Sequence, residues 1–225
     1  MNVSRGRFIT LEGGEGTGKS TQSRRLAAAL EAQGRKVLIT REPGGSPGAE
    51  AIRHVILSGA ARAYGPASEA LLFAAARADH VDTVIAPALA AGTWVVCDRF
   101  IDSTRVYQGV LGSLSGDLLD SLEGVAVGET RPDLTLMLDV PPEVGLARAA
   151  ARGEAADRFE SEGLAFHAKV RDAFLALAKA EPDRCVVVDA TVPPDKVAER
   201  IWETVVSHLS PAARTRRSTR RKKSS

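Results

Sequence analysis

The chain has 225 residues, 44% of them hydrophobic, with 30 Lys and Arg against 28 Asp and Glu and a net charge of +2. This suits one α/β domain with its own core. No apolar run approaches the ~20 residues of a membrane span, and Met1-Asn2-Val3-Ser4-Arg5 lacks the apolar centre of a secretory leader, so a cytoplasmic location is expected.

The charge is unevenly placed. The last twelve residues hold Arg214, Arg216, Arg217, Arg220, Arg221, Lys222 and Lys223 and no acid, so the remainder is mildly acidic. Residues 210–225 read as a basic, disordered tail outside a domain spanning 1–209. The 214–223 run offers weak, non-specific contact with nucleic-acid phosphates; a solvated tail with no dedicated partner is the plainer reading. Cys97 and Cys185 sit in the apolar runs Trp94-Val95-Val96-Cys97 and Cys185-Val186-Val187-Val188, without metal-type spacing. Core packing in a reducing compartment is expected of them.

In chain order, Phe8-Ile9-Thr10-Leu11 suits a buried strand and runs into Gly13-Gly14-Glu15-Gly16-Thr17-Gly18-Lys19-Ser20. That string fits G-x-x-x-x-G-K-[ST], the phosphate-binding loop. The glycines let the backbone curl so that successive N–H groups face an anion, reinforced by a helix N-terminus. Lys19 adds a mobile charge for the β- and γ-phosphates of a nucleoside triphosphate, and the Ser20 hydroxyl is placed for Mg²⁺. A helix over Lys19 to Gln33 follows, with Leu26 and Leu30 four apart and Gly34 as its stop. Lys36 to Thr40 reads as the second strand. The segment Arg41-Glu42-Pro43-Gly44-Gly45-Ser46-Pro47-Gly48 is too rich in Pro and Gly for regular structure.

Helices are expected over Glu50 to Leu57 and over the alanine-rich stretch Pro66 to Ala91, divided before Pro87. Thr93 to Cys97, Leu134 to Leu138 and Arg184 to Val188 read as strands. Further helices are expected after Pro141-Pro142, over Leu164 to Ala180, and over Asp195 to His208. No element is assigned to residues 100–133. Alternating strands and helices argue for a parallel sheet with right-handed crossovers. Ligands of such sheets bind beyond the carboxyl ends of the strands. The phosphate loop, the Arg41 loop, Asp98-Arg99, Asp139 and Asp189-Ala190-Thr191 are therefore expected to converge on one crevice.

Two acids end apolar strands and are candidates for the metal, Asp98 and Asp139. Asp98 is preferred because Arg99 beside it supplies a cation for a moving phosphoryl group; Asp139 serves equally well as a cap for the helix after Pro141. Arg148, Arg152 and Arg158 lie in a segment with Gly153 and small alanines, which reads as a lid closing over phosphates or as a solvated helix end. Candidates for holding an acceptor are Arg53, Phe73, Arg77, Tyr107 and Gln108. Phe73 and Arg77 are four apart and share a helix face, although core packing and a solvated charge would give the same spacing.

Taken together, several stretches resemble bacterial thymidylate kinases. They are Leu11 to Thr21, Thr40-Arg41-Glu42-Pro43-Gly44-Gly45, Cys97-Asp98-Arg99-Phe100, Ser103-Thr104 with Tyr107-Gln108-Gly109, Arg131-Pro132-Asp133-Leu134, Leu138-Asp139-Val140, and Arg152-Gly153 with Asp157-Arg158-Phe159-Glu160. The likeness runs from about Arg7 to Val206 and leaves out the tail. It implies a P-loop kinase fold, a five-stranded parallel sheet flanked by helices, with a short arginine-bearing lid at about 148–160. The implied activity is ATP-dependent phosphorylation of dTMP to dTDP with Mg²⁺, in a homodimer packed through long helices.

By the same resemblance, Gly13, Gly14, Glu15, Gly16, Thr17, Gly18, Lys19, Ser20 and Thr21 bind ATP, with Arg148 against adenine. Ser20 and Asp98 serve the metal. Glu15 meets the deoxyribose 3′-OH region, and Arg53 and Arg99 clamp the dTMP phosphate. Phe73 stacks on thymine, Arg77 reaches its O4, and Thr104, Tyr107 and Gln108 complete the acceptor site, with Tyr107 filtering against a ribose 2′-OH. Lys19, Arg99 and Arg152 are the implied catalytic set. The stretch Val110-Leu111-Gly112-Ser113-Leu114 departs from the glycine- and arginine-rich continuation many members carry. The rival readings are a kinase for another nucleoside monophosphate, and a P-loop nucleotide switch or binding module with a nucleic-acid-binding tail. No Asn-Lys-x-Asp guanine-reading string occurs.

Overall fold

A computed structural model of the chain describes residues 4–151 and 162–209. The expected lid beyond residue 151, with Arg152 and Arg158, and the basic tail lie outside the described residues.

Five strands form one parallel sheet in the order β2-β3-β1-β4-β5. They are β1 Phe8–Glu12, β2 Val37–Arg41, β3 Trp94–Asp98, β4 Leu134–Asp139 and β5 Cys185–Asp189. β1 is central, paired to β3 through Ile9 and Val96 and to β4 through Thr10 and Thr135. All five of its residues are buried, as a strand covered on both faces requires. The two faces of β1 alternate with period two. Ile9 and Leu11 join Leu26 and Leu30 of α1 (Lys19–Ala32) and Val197, Ile201 and Val205 of α9 (Pro194–Leu209) in one core. Phe8 faces the other layer, with Val95, Cys97, Ile85, Leu89 and Phe100. Thr10 and Glu12 share that second face and are wholly buried. Cys97 and Cys185 are free and buried in the sheet, as expected.

Three local features differ from the sequence reading. α2 spans Pro47–Leu57 rather than starting at Glu50. The Ser46 hydroxyl caps it by accepting from Ala49 N–H, and Pro47 takes the first helical position, where its missing donor costs nothing. The alanine-rich stretch is divided before Pro87, as expected, but by a widened turn rather than a break. α3 (Gly65–His80) gives way to a π turn at Val81–Ile85 before α4 (Ala86–Ala90). Pro87 has no N–H for the preceding turn, and widening that turn absorbs the loss.

Residues 100–133 are largely helical: α5 (Ile101–Thr104) continues into a π turn at Arg105–Leu111, and α6 covers Gly116–Val127. The signals for α6 were present in Ser115, whose hydroxyl accepts from Leu118 N–H, in Asp117 of the first turn, and in Gly128 at φ 51° beyond the end. α7 (Pro142–Ala150) and α8 (Leu164–Ala180) match expectation.

Candidate active site

The phosphate loop leaves the carboxyl end of β1 and enters α1 at Lys19. Its glycines answer specific demands. Gly13 has φ 134°, and a Cβ there would lie 2.4 Å from Leu138 O; Gly16 has φ 65°, and a Cβ would lie 1.8 Å from Gly145 O. Only glycine combines these dihedrals with these approaches. The loop is thus wedged between β4 and the start of α7. Thr17 Oγ1 donates to Gly14 O at 3.0 Å. The Lys19 ammonium donates to Gly13 O at 3.1 Å and Gly14 O at 2.7 Å. Burial, and then the nearby Arg99 charge, lower its pKa from the ordinary lysine value.

Two clefts open on either side of this loop. One, of about 480 Å³, is bounded by Glu15, Gly16, Gly18 to Thr21, the Arg41 loop, Phe73 and Arg77 of α3, and Asp98 to Gln108. The other, of about 500 Å³, is bounded by Gly16 to Gly18, Thr21, Gln22, Arg148 and Ala190 to Pro194. They share Gly16, Gly18 and Thr21. Arg148 is set at the second cleft by donating to Ala190 O at 2.9 Å and Thr191 O at 3.2 Å.

In the first cleft, Arg99 follows β3 with φ 68°, a left-handed conformation uncommon outside glycine. Its guanidinium donates to Glu15 Oε1 at 2.5 Å, to Gly13 O at 3.2 Å and to Ser103 Oγ at 3.2 Å. It also lies 5.6 Å over the Tyr107 ring. Burial alone would lower the Arg99 pKa, but Glu15, Tyr107 and Asp98 outweigh it and raise the value, so its charge is fixed. Burial pushes the Tyr107 hydroxyl upward against the pull of Arg99, and Glu15 adds to the rise. Arg77 is buried and donates to Glu42 Oε2 at 2.7 Å, Thr104 Oγ1 at 3.1 Å and Phe100 O at 3.1 Å. Glu42 in turn meets His80 Nδ1 at 3.1 Å, whose Nε2 meets Thr40 Oγ1 at 2.7 Å. Arg53 donates to Pro43 O at 2.6 Å. Phe73 is half-buried and Gln108 buried at the cleft wall.

The Ser20 hydroxyl donates to Asp98 Oδ2 at 2.5 Å. These are two hard oxygen donors, one of them a carboxylate, beside a phosphate loop. That set fits Mg²⁺, which keeps most of its shell for water and phosphate oxygens. Among the described residues no group of three or more His, Cys, Asp or Glu forms an all-protein metal cage. Asp139 is placed otherwise: Arg171 of α8 donates to its two oxygens at 2.7 and 2.9 Å. The residue before α7 is Pro141, and that helix has no side-chain cap, so Asp139 caps nothing. Asp139 lines a separate hollow of about 20 Å³ with His167 and Arg171. The expected single crevice is therefore two clefts and a small hollow around one loop.

Sequence reasoning passed over Glu12, Arg24, Glu42 and Ser103. Arg24 and Ser103 line the first cleft. Glu12 ends β1 wholly buried. Burial, with Asp102 adding, pushes its carboxyl up to about 7 against the pull of Arg99, Ser103 and Phe100 N–H. An acid closing the buried run Phe8-Ile9-Thr10-Leu11 was the visible signal, because an unpaired carboxylate there would be costly.

The family model described as Thymidylate kinase matches residues 11–201. A thymidylate kinase of Bradyrhizobium sp. strain BTAi1 is 58% identical over 207 residues, covering 91% of this chain and 92% of that protein. One of Nitrobacter winogradskyi is 60% identical over 200 residues, covering 88% and 87%. The crystal structure of thymidylate kinase from Ehrlichia chaffeensis superposes with TM-score 0.73 at 32% identity, covering 89% of this chain and 99% of that one. The match runs from the end of β1 into α9 and takes in the loop and both clefts, and the chain belongs to the thymidylate kinase family.

Proposed function

We propose that the chain transfers the γ-phosphoryl group of ATP to the phosphate of dTMP, giving dTDP and ADP on the route to dTTP. The observation that carries this reading is the pair of clefts meeting at Gly16, Gly18 and Thr21, one of them lined by aromatic and arginine side chains. Two nucleotides seated there would face each other across one phosphate loop.

In this reading Gly13 to Thr21 wrap the ATP phosphates, and Arg148 lies against adenine. Lys19 exchanges its loop carbonyls for the β- and γ-phosphates, a stronger partner for an ammonium. Phe73 stacks on thymine. Arg77 has five N–H groups; Glu42, Thr104 and Phe100 O engage three different nitrogens, leaving two N–H for the base edge at O4. Tyr107 closes the sugar pocket against a 2′-OH, Glu15 meets the 3′-OH region, and Thr104 and Gln108 complete the wall. Arg53 and Arg99 hold the acceptor phosphate. Mg²⁺, held by Ser20 with Asp98 beside it, would supply charge neutralisation across the β- and γ-phosphates.

Transfer is in line, with no covalent enzyme intermediate. An acceptor phosphate oxygen is already nucleophilic, so no strong general base is needed. Catalysis comes from Lys19, Arg99 and the lid's Arg152 gathering charge in a dry site. In this reading the lid at about 148–160 closes its guanidinium groups over the phosphates. The enzyme acts in the cytoplasm as a homodimer; the exposed apolar side chains of Leu71 on α3 and Val125 on α6 support the pairing. Residues 210–225 are an accessory tail able to touch nucleic-acid phosphates weakly.

The test is a coupled ADP-release assay with MgATP and dTMP, dUMP, dCMP, dGMP or AMP. A strong preference for dTMP is expected. Preference for another monophosphate would discard the roles of Phe73, Arg77 and Tyr107. Hydrolysis independent of acceptor would favour a nucleotide switch.

A further inference from the structure

We propose that Glu12 is a positioning residue for the acceptor-phosphate clamp: its buried carboxylate sets the aim of the Arg99 guanidinium through Ser103 and pins the turn that carries it. The proposal rests on the reading of Arg99 as that clamp.

Glu12 and Arg99 do not share a direct hydrogen bond among those the structure gives; Glu15 is the carboxylate that Arg99 meets. The partners of Glu12 are Phe100 N–H at 2.7 Å and Ser103 N–H at 3.2 Å on Oε1, and the Ser103 hydroxyl at 2.7 Å on Oε2. Ser103 Oγ is also the acceptor for Arg99 Nη1 at 3.2 Å. A guanidinium is a donor only, and an ionised carboxylate an acceptor only. When Glu12 is ionised, the serine proton therefore points at it, which leaves the hydroxyl lone pairs facing Arg99. Glu12 thus sets the direction of a hydroxyl that meets Nη1, which Gly13 O also accepts from at 3.2 Å.

The backbone carries a second link. Arg99 is left-handed at φ 68°, a strained conformation for an L-residue. β1 grips both sides of it: Arg99 N–H donates to Leu11 O at 2.9 Å, and Phe100 N–H donates to Glu12. Consecutive β1 residues thus hold consecutive amides of the turn. Around the carboxylate stand Asp102 and Ser103 of α5, Lys19 of α1 and Arg99 itself.

Glu12→Gln keeps the shape but puts an NH₂ donor where one acceptor oxygen stood. Ser103 Oγ would then accept from the amide and turn its proton toward Arg99, donor against donor. Ser103→Ala removes the relay while leaving Glu12 its bond to Phe100 N–H. Both variants and Arg99→Ala are assayed in the full chain, with separate KM values for dTMP and ATP, kcat, and thermal unfolding. Misaligning one charge-assisted hydrogen bond should raise the dTMP KM about tenfold in Glu12→Gln and about threefold to tenfold in Ser103→Ala. The ATP KM should stay within about twofold of the unaltered chain. Glu12→Gln placed on Arg99→Ala should add less than about twofold, because the side chain it aims is gone.

An unchanged dTMP KM in folded Glu12→Gln and Ser103→Ala overturns the proposal. So does a fall in kcat alone, which is a structural effect, or a full additive effect on Arg99→Ala. If Glu12→Gln fails to fold, Ser103→Ala carries the test. If Arg99→Ala itself leaves the dTMP KM unchanged, the clamp reading falls, and this proposal with it.

Discussion

Substituting Gly145 by Ala separates helix propensity from packing, because the two give opposite signs. Gly145 lies inside α7, where Ala is favoured over Gly by about 0.8–1.0 kcal/mol. A Cβ at Gly145, however, would stand 2.4 Å from Glu15 O and 3.3 Å from Val140 Cγ2. The first is a backbone oxygen of the phosphate loop, roughly 1 Å inside an ordinary contact, and it cannot swing aside as a side-chain tip can. Overpacking of this kind costs about 1–3 kcal/mol. The net expectation is a loss of about 1 kcal/mol, seen as a fall of roughly 2–4 °C in Tm. Because the displaced atom belongs to Glu15, the KM for ATP should rise as well.

Gly124→Ala is the control. Gly124 lies inside α6, and a Cβ there meets nothing within 4 Å, so propensity acts alone and Tm should rise by about 2–4 °C. Calorimetry and steady-state kinetics on both variants decide the matter. A Gly145→Ala chain at least as stable as the unaltered one, with unchanged ATP KM, would refute the close approach of α7 to the loop.

Arg152→Ala should lower kcat roughly ten- to a thousandfold with a smaller effect on ATP affinity, as loss of one charge-stabilising donor does; an unchanged kcat removes Arg152 from the mechanism. Asp98→Asn should raise the Mg²⁺ concentration for half-maximal rate about 10–100-fold, the cost of losing a supporting carboxylate, and an unmoved Mg²⁺ titration would refute its role. Glu12 gives a pH signature. Its carboxyl is raised from 4.5 to about 7 in the folded chain, so the stability it contributes is fully present below about pH 4.5 and is lost as pH rises through about 7, up to about 3 kcal/mol. Denaturant unfolding at pH 5 and pH 8 should show a smaller decline in Glu12→Gln than in the unaltered chain, and parallel declines would contradict the raised value.

The parallel sheet and the phosphate loop were legible in the residue pattern. Those features are local in cause: an apolar run, a glycine spacing and a helix stop each act within a few residues. It also marked Asp98, Arg99, Phe73, Arg77 and Tyr107, which the fold brings to one cleft from β3, α3 and the segment after β3. It left 100–133 unassigned: the π turn at Arg105–Leu111 breaks the 3.6-residue period, whereas the signals for α6 at Ser115, Asp117 and Gly128 were legible and passed over. Tertiary structure alone gave Asp98 and Asp139 different partners. Both end apolar strands, and only the packing of α8 turns Asp139 toward Arg171 while α1 turns Ser20 toward Asp98. It alone gave Glu12 its partners as well. Phe100 and Ser103 lie 88 and 91 residues away along the chain, and no spacing in sequence encodes a contact that exists only once β1 lies beside β3.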